Sequence, residues 1–316
     1  VLVSPISAMS VVIPAYNAAG TIAPTIDSVL EAADDVARIG VQVEIVVVDD
    51  GSEDGTAEFV GERFGADPRV CVYSHRRNRG GAAARNTAVE HASHDWLYCV
   101  DSDNLVDPKS FRLVVEMAAT GDWDVVAPAE ARFFDASPEH SIAVWRWDHE
   151  SLHINDALAA YETAVACGNY LYSRDIWAQA GGYPEFAGSL DAWGFGIRVL
   201  FAGARFGVCR DAFYQHRQGH ASYYTRDTDG RRAVASAQIM LPYLDRLVPE
   251  DRARLLSKGQ LLRYFAELPQ QPLRVRSETQ TASRGSTGGR IRTAARHAWS
   301  DWSPRTTLSR LRHGRW

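Results

Sequence analysis

"VEIVVVDDGSEDGT", residues 43–56, is a strand and the turn that ends it. Val43 to Val48 form a β-branched run in which Glu44 is the one polar residue. A run of this kind marks a strand covered on both faces, the usual condition of a parallel sheet with helices above and below. Asp49, Asp50, Gly51 and Ser52 then turn the chain, and Phe59, Val60 and Phe64 recur at helical spacing.

The same cadence continues on both sides. "SVVIP" (10–14) is a first strand, followed by Ile22, Ile26, Val29, Leu30 and Ala33 at helical spacing. "RVCVY" (69–73) is a third strand, and "GGAAARNTAVEHA" (80–92) a helix opened by glycines. "WLYCV" (96–100) is a fourth strand, Pro108–Thr120 a helix with Asp107 at its cap, and "WDVVAP" (123–128) a fifth strand. Strands alternating with helices predict an α/β fold with a mostly parallel sheet flanked by helices. In such sheets ligands bind beyond the carboxyl ends of the strands.

Farther along, the rhythm loosens. Ile154–Ala166 reads as helix, "GGYPE" (181–185) as a turn, "WGFGIRVLFAG" (193–203) as a helix and "RFGVC" (205–209) as a strand. Residues 227–272 carry a helical pattern broken at Pro242 and Pro249. Beyond Pro272, "SETQTASRGSTGGR" has linker composition, and the last stretch mixes Arg with Trp299, Trp302 and Trp316.

The 316 residues are 46% hydrophobic and 23% charged, the profile of a globular protein with a sizeable core. From Arg274 onward there are ten Arg against two acidic residues, whereas the rest carries 24 basic and 37 acidic groups. An acidic body argues against nucleic acid as a partner. Cys71, Cys99, Cys167 and Cys209 are far apart without a CxxC pair, so four buried free thiols are expected and zinc is not. No apolar run reaches the roughly 18 residues of a membrane span, and no signal peptide is expected. The expected location is cytoplasmic, with the basic, Trp-containing tail (273–316) offering peripheral contact with an anionic membrane.

Two strand ends carry carboxylates: Asp49 and Asp50 after the second, Asp101 and Asp103 after the fourth. Either pair alone also suits turns and helix caps. Together, on one sheet edge, they would repel unless a cation or hydrogen-bond donors intervene. Mg²⁺ or Mn²⁺, held by one or two carboxylates plus substrate phosphates, is the simplest solution. "NRGGAAARN" (78–86) adds a glycine-opened helix start that lets backbone approach an anion, with Arg79 and Arg85 nearby.

"SVVIPAYNAAGTI", "VVVDDGSEDGT", "NRGGAAARN" and "VDSDN" together resemble the ordered motifs of family 2 inverting glycosyltransferases of the GT-A fold, over about residues 9–223. "CGNYLYSRDIWAQAGGYPE" (167–185) resembles that family's acceptor-side segment. The resemblance implies a metal-dependent, hexosyltransferase-type bacterial enzyme. It would move a sugar from a UDP-, GDP- or dTDP-sugar to a hydroxyl of a glycan, a lipid-linked acceptor or a small molecule. It implies Pro14, Ala15 and Tyr16 around the base, Asp50 bonded to the base, and Gly80 and Arg85 on the donor. Asp101-Ser102-Asp103 becomes the DXD motif, with Asp101 near ribose or metal and Asp103 on the metal. His216, with His220 as runner-up, would approach the metal or diphosphate. Asp191 would be the catalytic base, although Leu190 stands where the family usually has Glu; a helix N-cap is the alternative role. Trp145, Trp147 and Trp193 are candidates to stack on sugar rings or to fill the core.

The expected organisation is a catalytic domain over 9–226, with a nucleotide-sugar half at 9–128 and an acceptor half at 129–226. A helical extension (227–272) and the linker and tail (273–316) follow. A catalytically silent nucleotide-sugar-binding module is the rival from another class. A nucleotidyltransferase of similar fold is disfavoured because "VIPAYN" is not the Gly-rich, Lys/Arg-bearing signature such enzymes carry near the N-terminus.

Overall fold

The computed structural model describes residues 6–159, 163–218, 227 and 229–256. The regular part begins with β1 (Ala8–Ala15), α1 (Ile22–Ala37), β2 (Gln42–Asp49), α2 (Thr56–Phe64), β3 (Val70–Ser74), α3 (Gly81–His91) and β4 (Trp96–Cys99). Then come β5 (Leu105–Val106), α4 (Pro108–Thr120), β6 (Val125–Phe134), β7 (Ala143–Arg146), β8 (Ser151–Leu152) and α5 (Ile154–Ala159). The remainder holds β9 (Leu171–Ser173), α6 (Arg174–Ala180), α7 (Asp191–Phe201), β10 (Phe206–Arg217), α8 (Asp229–Met240) and α9 (Pro249–Leu256).

Among the described residues the strands join in one sheet of order β3-β2-β1-β4-β9-β6-β10-β5, with β7 on β6 and β8 on β10. β3, β2, β1 and β4 are mutually parallel. β9 is antiparallel to both β4 and β6, and β10 is parallel to β6. β3, β2, β1, β4, β6 and β10 therefore all point the same way, and their carboxyl ends share one edge. The chain turns outward in opposite directions from β1 and β4, which opens a crevice there.

The β-branched run of β2 fills both sides of the sheet. Ile45 and Val47 pack with Val11, Ile13 and the helices α1, α2 and α4, while Val46 and Val48 pack with Val12 and the alanines of α3. Side chains two apart share a face, so an unbroken apolar run is what a doubly covered strand requires. Asp107 caps α4 as expected, its carboxylate accepting from Ser110 N at 2.8 Å, with Pro108 opening the helix.

Three expectations change. Cys71 is exposed because β3 is the edge strand; Cys99 and Cys209 are buried, and Cys167 lies between. The helix expected over 154–166 is α5 followed, beyond residues 160–162, by a short 3₁₀ turn at Ala164–Ala166. The strand expected at 205–209 continues to Arg217, its pairing with β6 interrupted by a bulge between Cys209 and Phe213.

Candidate active site

The first wall of the crevice is a loop pair fastened by short polar side chains. Ala15 pairs with Asp49, and beyond them Tyr16 is 46% exposed. Asn17 N donates to Ser52 Oγ at 2.8 Å, and Asn17 Oδ1 accepts from Glu53 N at 2.9 Å. Ala18 N donates to Thr56 Oγ1 at 2.9 Å, and Ala19 N to Asp54 Oδ2 at 3.0 Å. Burial works against the charge of Asp54, but donors from Thr56 and Ala19 outweigh it and hold the carboxyl below its ordinary value. "DGSEDGT" thus pins the loop after β1 and leaves the Tyr16 ring presented at the strand ends.

Asp50 organises the second wall. Its Oδ1 accepts from Arg79 N at 2.9 Å and lies 2.6 Å from His75 Nδ1; its Oδ2 accepts from Gly80 N at 2.7 Å. His75 Nε2 is 3.0 Å from Thr87 Oγ1. A carboxylate only accepts, so the proton between His75 and Asp50 sits on Nδ1. These bonds fold residues 75–80 over the end of β2. The approach is so close that a Cβ on Gly51 (φ +72°) would lie 2.6 Å from the carbonyl carbon of Arg77. Gly80, at φ +96°, then starts α3. A cleft of about 240 Å³ opens here, lined by Asn78, Arg79, Gly80, Gly81, Ala82, Glu185 and Gly188.

At the floor, one guanidinium joins two carboxylates. Arg85 Nη1 donates to Asp191 Oδ2 and Nη2 to Asp101 Oδ1, both at 2.5 Å. Arg85 and Asp191 are buried, whereas the Asp101 side chain keeps 29% of its exposure. Burial opposes the charge on Arg85, and the two carboxylates more than offset it. Burial pushes the Asp191 carboxyl up; Arg85 pulls the other way and Asp101 adds to the rise. Asp191 is the first residue of α7, behind Leu190 at the N-cap, and its Oδ1 accepts from Ala192 N at 2.7 Å. The expected N-cap alternative is therefore not the geometry found.

Ser102 and Asp103 occupy a half-buried turn after β4. Asn104, fully buried, ties that turn to the end of β10: its Nδ2 reaches Asp101 Oδ2 at 3.4 Å and its Oδ1 accepts from Arg217 N at 3.3 Å. His216, the residue before Arg217, is half-buried against Phe133, ring centroids 5.0 Å apart. Among the described residues no three His, Cys, Asp or Glu side chains converge as a metal cage. Asp101 and Asp103 are hard oxygen donors on one accessible turn. That set suits an ion completed by phosphate oxygens and water rather than an all-protein site.

The region around α6 and α7 is built differently. Asn86 Oδ1 accepts from Tyr183 N at 2.8 Å and its Nδ2 donates to Tyr183 O at 3.0 Å, fixing the turn after α6. Arg198 Nη1 donates to the carbonyls of Gly181 and Gly182 at 3.1 and 2.8 Å. Trp147 and Trp193 are core; of the three tryptophans proposed to stack on sugars, Trp145 alone is exposed.

The structure thus brings Asp50 and Gly80 together, and separately Arg85, Asp101 and Asp191. Pro14 and Ala15 are buried at the end of β1 beneath the exposed Tyr16. His216 stands at the same sheet edge, joined to the Asp101 turn through Asn104 and Arg217. His220 and the tail from 273 onward lie outside the described residues. His75 and Asn104 were not singled out by sequence reasoning. Asn104 sits inside the quoted "VDSDN" and was legible as a loop polar residue beside a ligand site; His75 carried no signal beyond its place at a strand end.

The glycosyl transferase family 2 model matches residues 10–178. The succinoglycan biosynthesis protein ExoO of Rhizobium meliloti is 42% identical over 107 residues, 34% of this chain and 28% of that protein. The chondroitin synthase of Pasteurella multocida is 34% identical over 108 residues, 34% of this chain and 10% of that protein. The chain thus spans well under half the length of these curated relatives. S. aureus TarS 1–349 in complex with UDP-GlcNAc superposes with a TM-score of 0.64 at 17% identity, over 81% of this chain and 72% of that one. The mannosyltransferase PcManGT of Pyrobaculum calidifontis, in complex with GDP-Man and Mn²⁺, gives 0.52 at 19% identity, over 82% and 70%. At these identities the likeness establishes the fold, the GT-A arrangement expected from the sequence. No helix among the described residues is long and apolar enough to cross a membrane.

Proposed function

The chain belongs to glycosyl transferase family 2, and from that premise we propose that it moves a sugar from a nucleoside diphosphate sugar to an acceptor hydroxyl in a single inverting displacement. The observation that carries the reading is the Asp101–Arg85–Asp191 constellation. It joins the carboxylate turn at a strand end to a buried carboxylate on the acceptor-side helix.

In this reading the nucleoside lies over the ends of β1 and β2. Tyr16 supplies an aromatic face, with Pro14 and Ala15 behind it. A carboxylate has about four acceptor positions, and Asp50 has used three. The fourth, on Oδ2, is left for an N–H of the base. The diphosphate lies toward Gly80, where the opening amides of α3 favour an anion. Asp103 and Asp101 would hold a divalent ion, with His216 as the third candidate. Bound there, Mg²⁺ or Mn²⁺ supplies Lewis-acid stabilisation of charge on the departing diphosphate.

Asp191 is the proposed general base. It takes the proton from the acceptor hydroxyl as oxygen attacks the anomeric carbon and the diphosphate departs from the opposite face. Burial suits this role, because a carboxylate with a raised pKa is a stronger base than an exposed one. The solved neighbours hold UDP-GlcNAc, or GDP-Man with Mn²⁺, which supports a UDP- or GDP-sugar donor and a divalent ion. The relatives' names, a succinoglycan biosynthesis protein and a chondroitin synthase, support a saccharide hydroxyl as acceptor.

The reading is tested by incubating the protein with Mn²⁺ and UDP-N-acetylglucosamine or GDP-mannose, with and without a panel of saccharides, and following release of the nucleoside diphosphate. Release stimulated by an acceptor is expected. Tight donor binding with no release under any acceptor would instead identify a silent binding module.

A further inference from the structure

We propose that Arg85 is a positioning residue that makes the donor-side carboxylate and the base a single electrostatic unit. Sequence reasoning placed Arg85 on the donor; the geometry places it between Asp101 and Asp191.

Three observations bear on this. First, each terminal nitrogen donates to a different carboxylate of the protein, both at 2.5 Å. Second, the arrangement is sterically specified. A Cβ on Gly81 would lie 2.9 Å from Arg85 Nη1 and 3.0 Å from Asp191 Oδ2, so the glycine makes room for the ion pair itself. Third, the guanidinium lies over the Tyr183 ring at 5.7 Å, and Tyr183 is held by Asn86, the next residue of α3. The fork therefore cannot swing toward the cleft without leaving the buried Asp191 carboxylate without its cationic partner.

The planar guanidinium fixes both the distance and the relative orientation of the carboxylates it bridges, which a lysine ammonium cannot do. The consequence is that Asp191 is held ready only where Asp101 is also in place. Asp101 belongs to the turn that would meet the donor, and Asp191 to the helix that would meet the acceptor. Arg85 thus sets the spacing between leaving group and base.

Two measurements test the proposal, and only the second rests on the proposed glycosyl transfer. In the protein without nucleotide, Asp191→Asn should lower the melting temperature, because Arg85 loses a charged partner. In an Arg85→Met background the same substitution should raise it, because it removes an unpaired buried carboxylate. The same sign in both backgrounds would overturn the unit. In the kinetic arm, Arg85→Lys should lower kcat for nucleotide release at least tenfold. It should leave the Kd for UDP or GDP with Mn²⁺, by calorimetry, within about threefold. Added to Asp191→Asn, it should cost less than a further twofold in kcat. A Kd raised tenfold with kcat preserved, or losses that simply multiply, would make Arg85 a donor ligand instead. If none of UDP, GDP and dTDP binds the unaltered protein, the glycosyl-transfer reading fails, and the melting arm still decides the role of Arg85.

Discussion

The strand ends of β1 to β4 and the start of α7 hold their carboxylates in different ways. From β1 to β4 the functional carboxylates sit on turns at strand ends and are held by backbone amides: Asp50 by Arg79 and Gly80, Asp54 by Ala19 and Thr56. On the acceptor side Asp191 begins a helix, is buried, and is held by a buried arginine. Near it Tyr170, Tyr172, Tyr183 and Phe195 form a packed aromatic cluster, with Tyr183 and Phe195 centroids 4.1 Å apart. Asp50 is buried and Asp54 exposed, while Asp101, on the turn after β4, keeps 29% of its side-chain exposure. Burial pushes the Asp191 carboxyl up, which suits the proposed proton transfer. One guanidinium, Arg85, joins the part-exposed Asp101 to the buried Asp191.

The largest expected effect breaks the contrast on the acceptor side. Asp191→Asn should lower turnover by about 10² to 10⁴, the usual share of general base catalysis, while nucleotide affinity stays close to that of the unaltered protein. Asn keeps an acceptor oxygen for Arg85 and Ala192 but cannot take the proton. The same assignment fixes a sign for pH. Asp191 acts when ionised and its pKa is raised, so activity should fall on acidification at a pH above the ordinary carboxylate range, in a pH–kcat profile. A limb at the ordinary Asp value would mean that burial does not govern this group.

A smaller effect sharpens the donor side. Asp103→Ala should weaken nucleoside diphosphate binding at least tenfold in Mn²⁺ and have little effect in EDTA, measured by calorimetry. Smaller again is a purely structural effect. Gly51→Ala should destabilise the fold by about 1–3 kcal/mol, from its positive φ and the contact with Arg77. Denaturant unfolding would show it as a lowered midpoint with an unchanged slope.

Legibility in the sequence follows the same division. β1 and β2 announced themselves as β-branched runs and β3 and β4 as short apolar runs between helical patterns, so all four strands and the carboxylates after β2 and β4 were placed along the sheet edge. The acceptor half was harder, because β7, β8 and β9 are only two to four residues long and pair antiparallel inside a parallel sheet. No periodicity accumulates over so few residues. Asp191 was named as the candidate base through resemblance, despite Leu190 in place of the usual Glu, but its pairing with Arg85 was not foreseen. Arg85 lies 106 positions away, and nothing local links the two. His75 was missed for a related reason: its meaning comes from Asp50, 25 positions earlier and adjacent only once β2 and β3 pair.

The central claim is that the strand-end cleft holds a nucleoside diphosphate together with a divalent ion. Titrating the protein calorimetrically with UDP, GDP and dTDP, each in Mn²⁺ and again in EDTA, tests it directly. One of the three is expected to bind in Mn²⁺, with binding collapsing in EDTA. At 100 times its Kd that nucleotide should also stabilise the fold by about 2.7 kcal/mol. Failure of all three to bind, or binding indifferent to the metal, would contradict it.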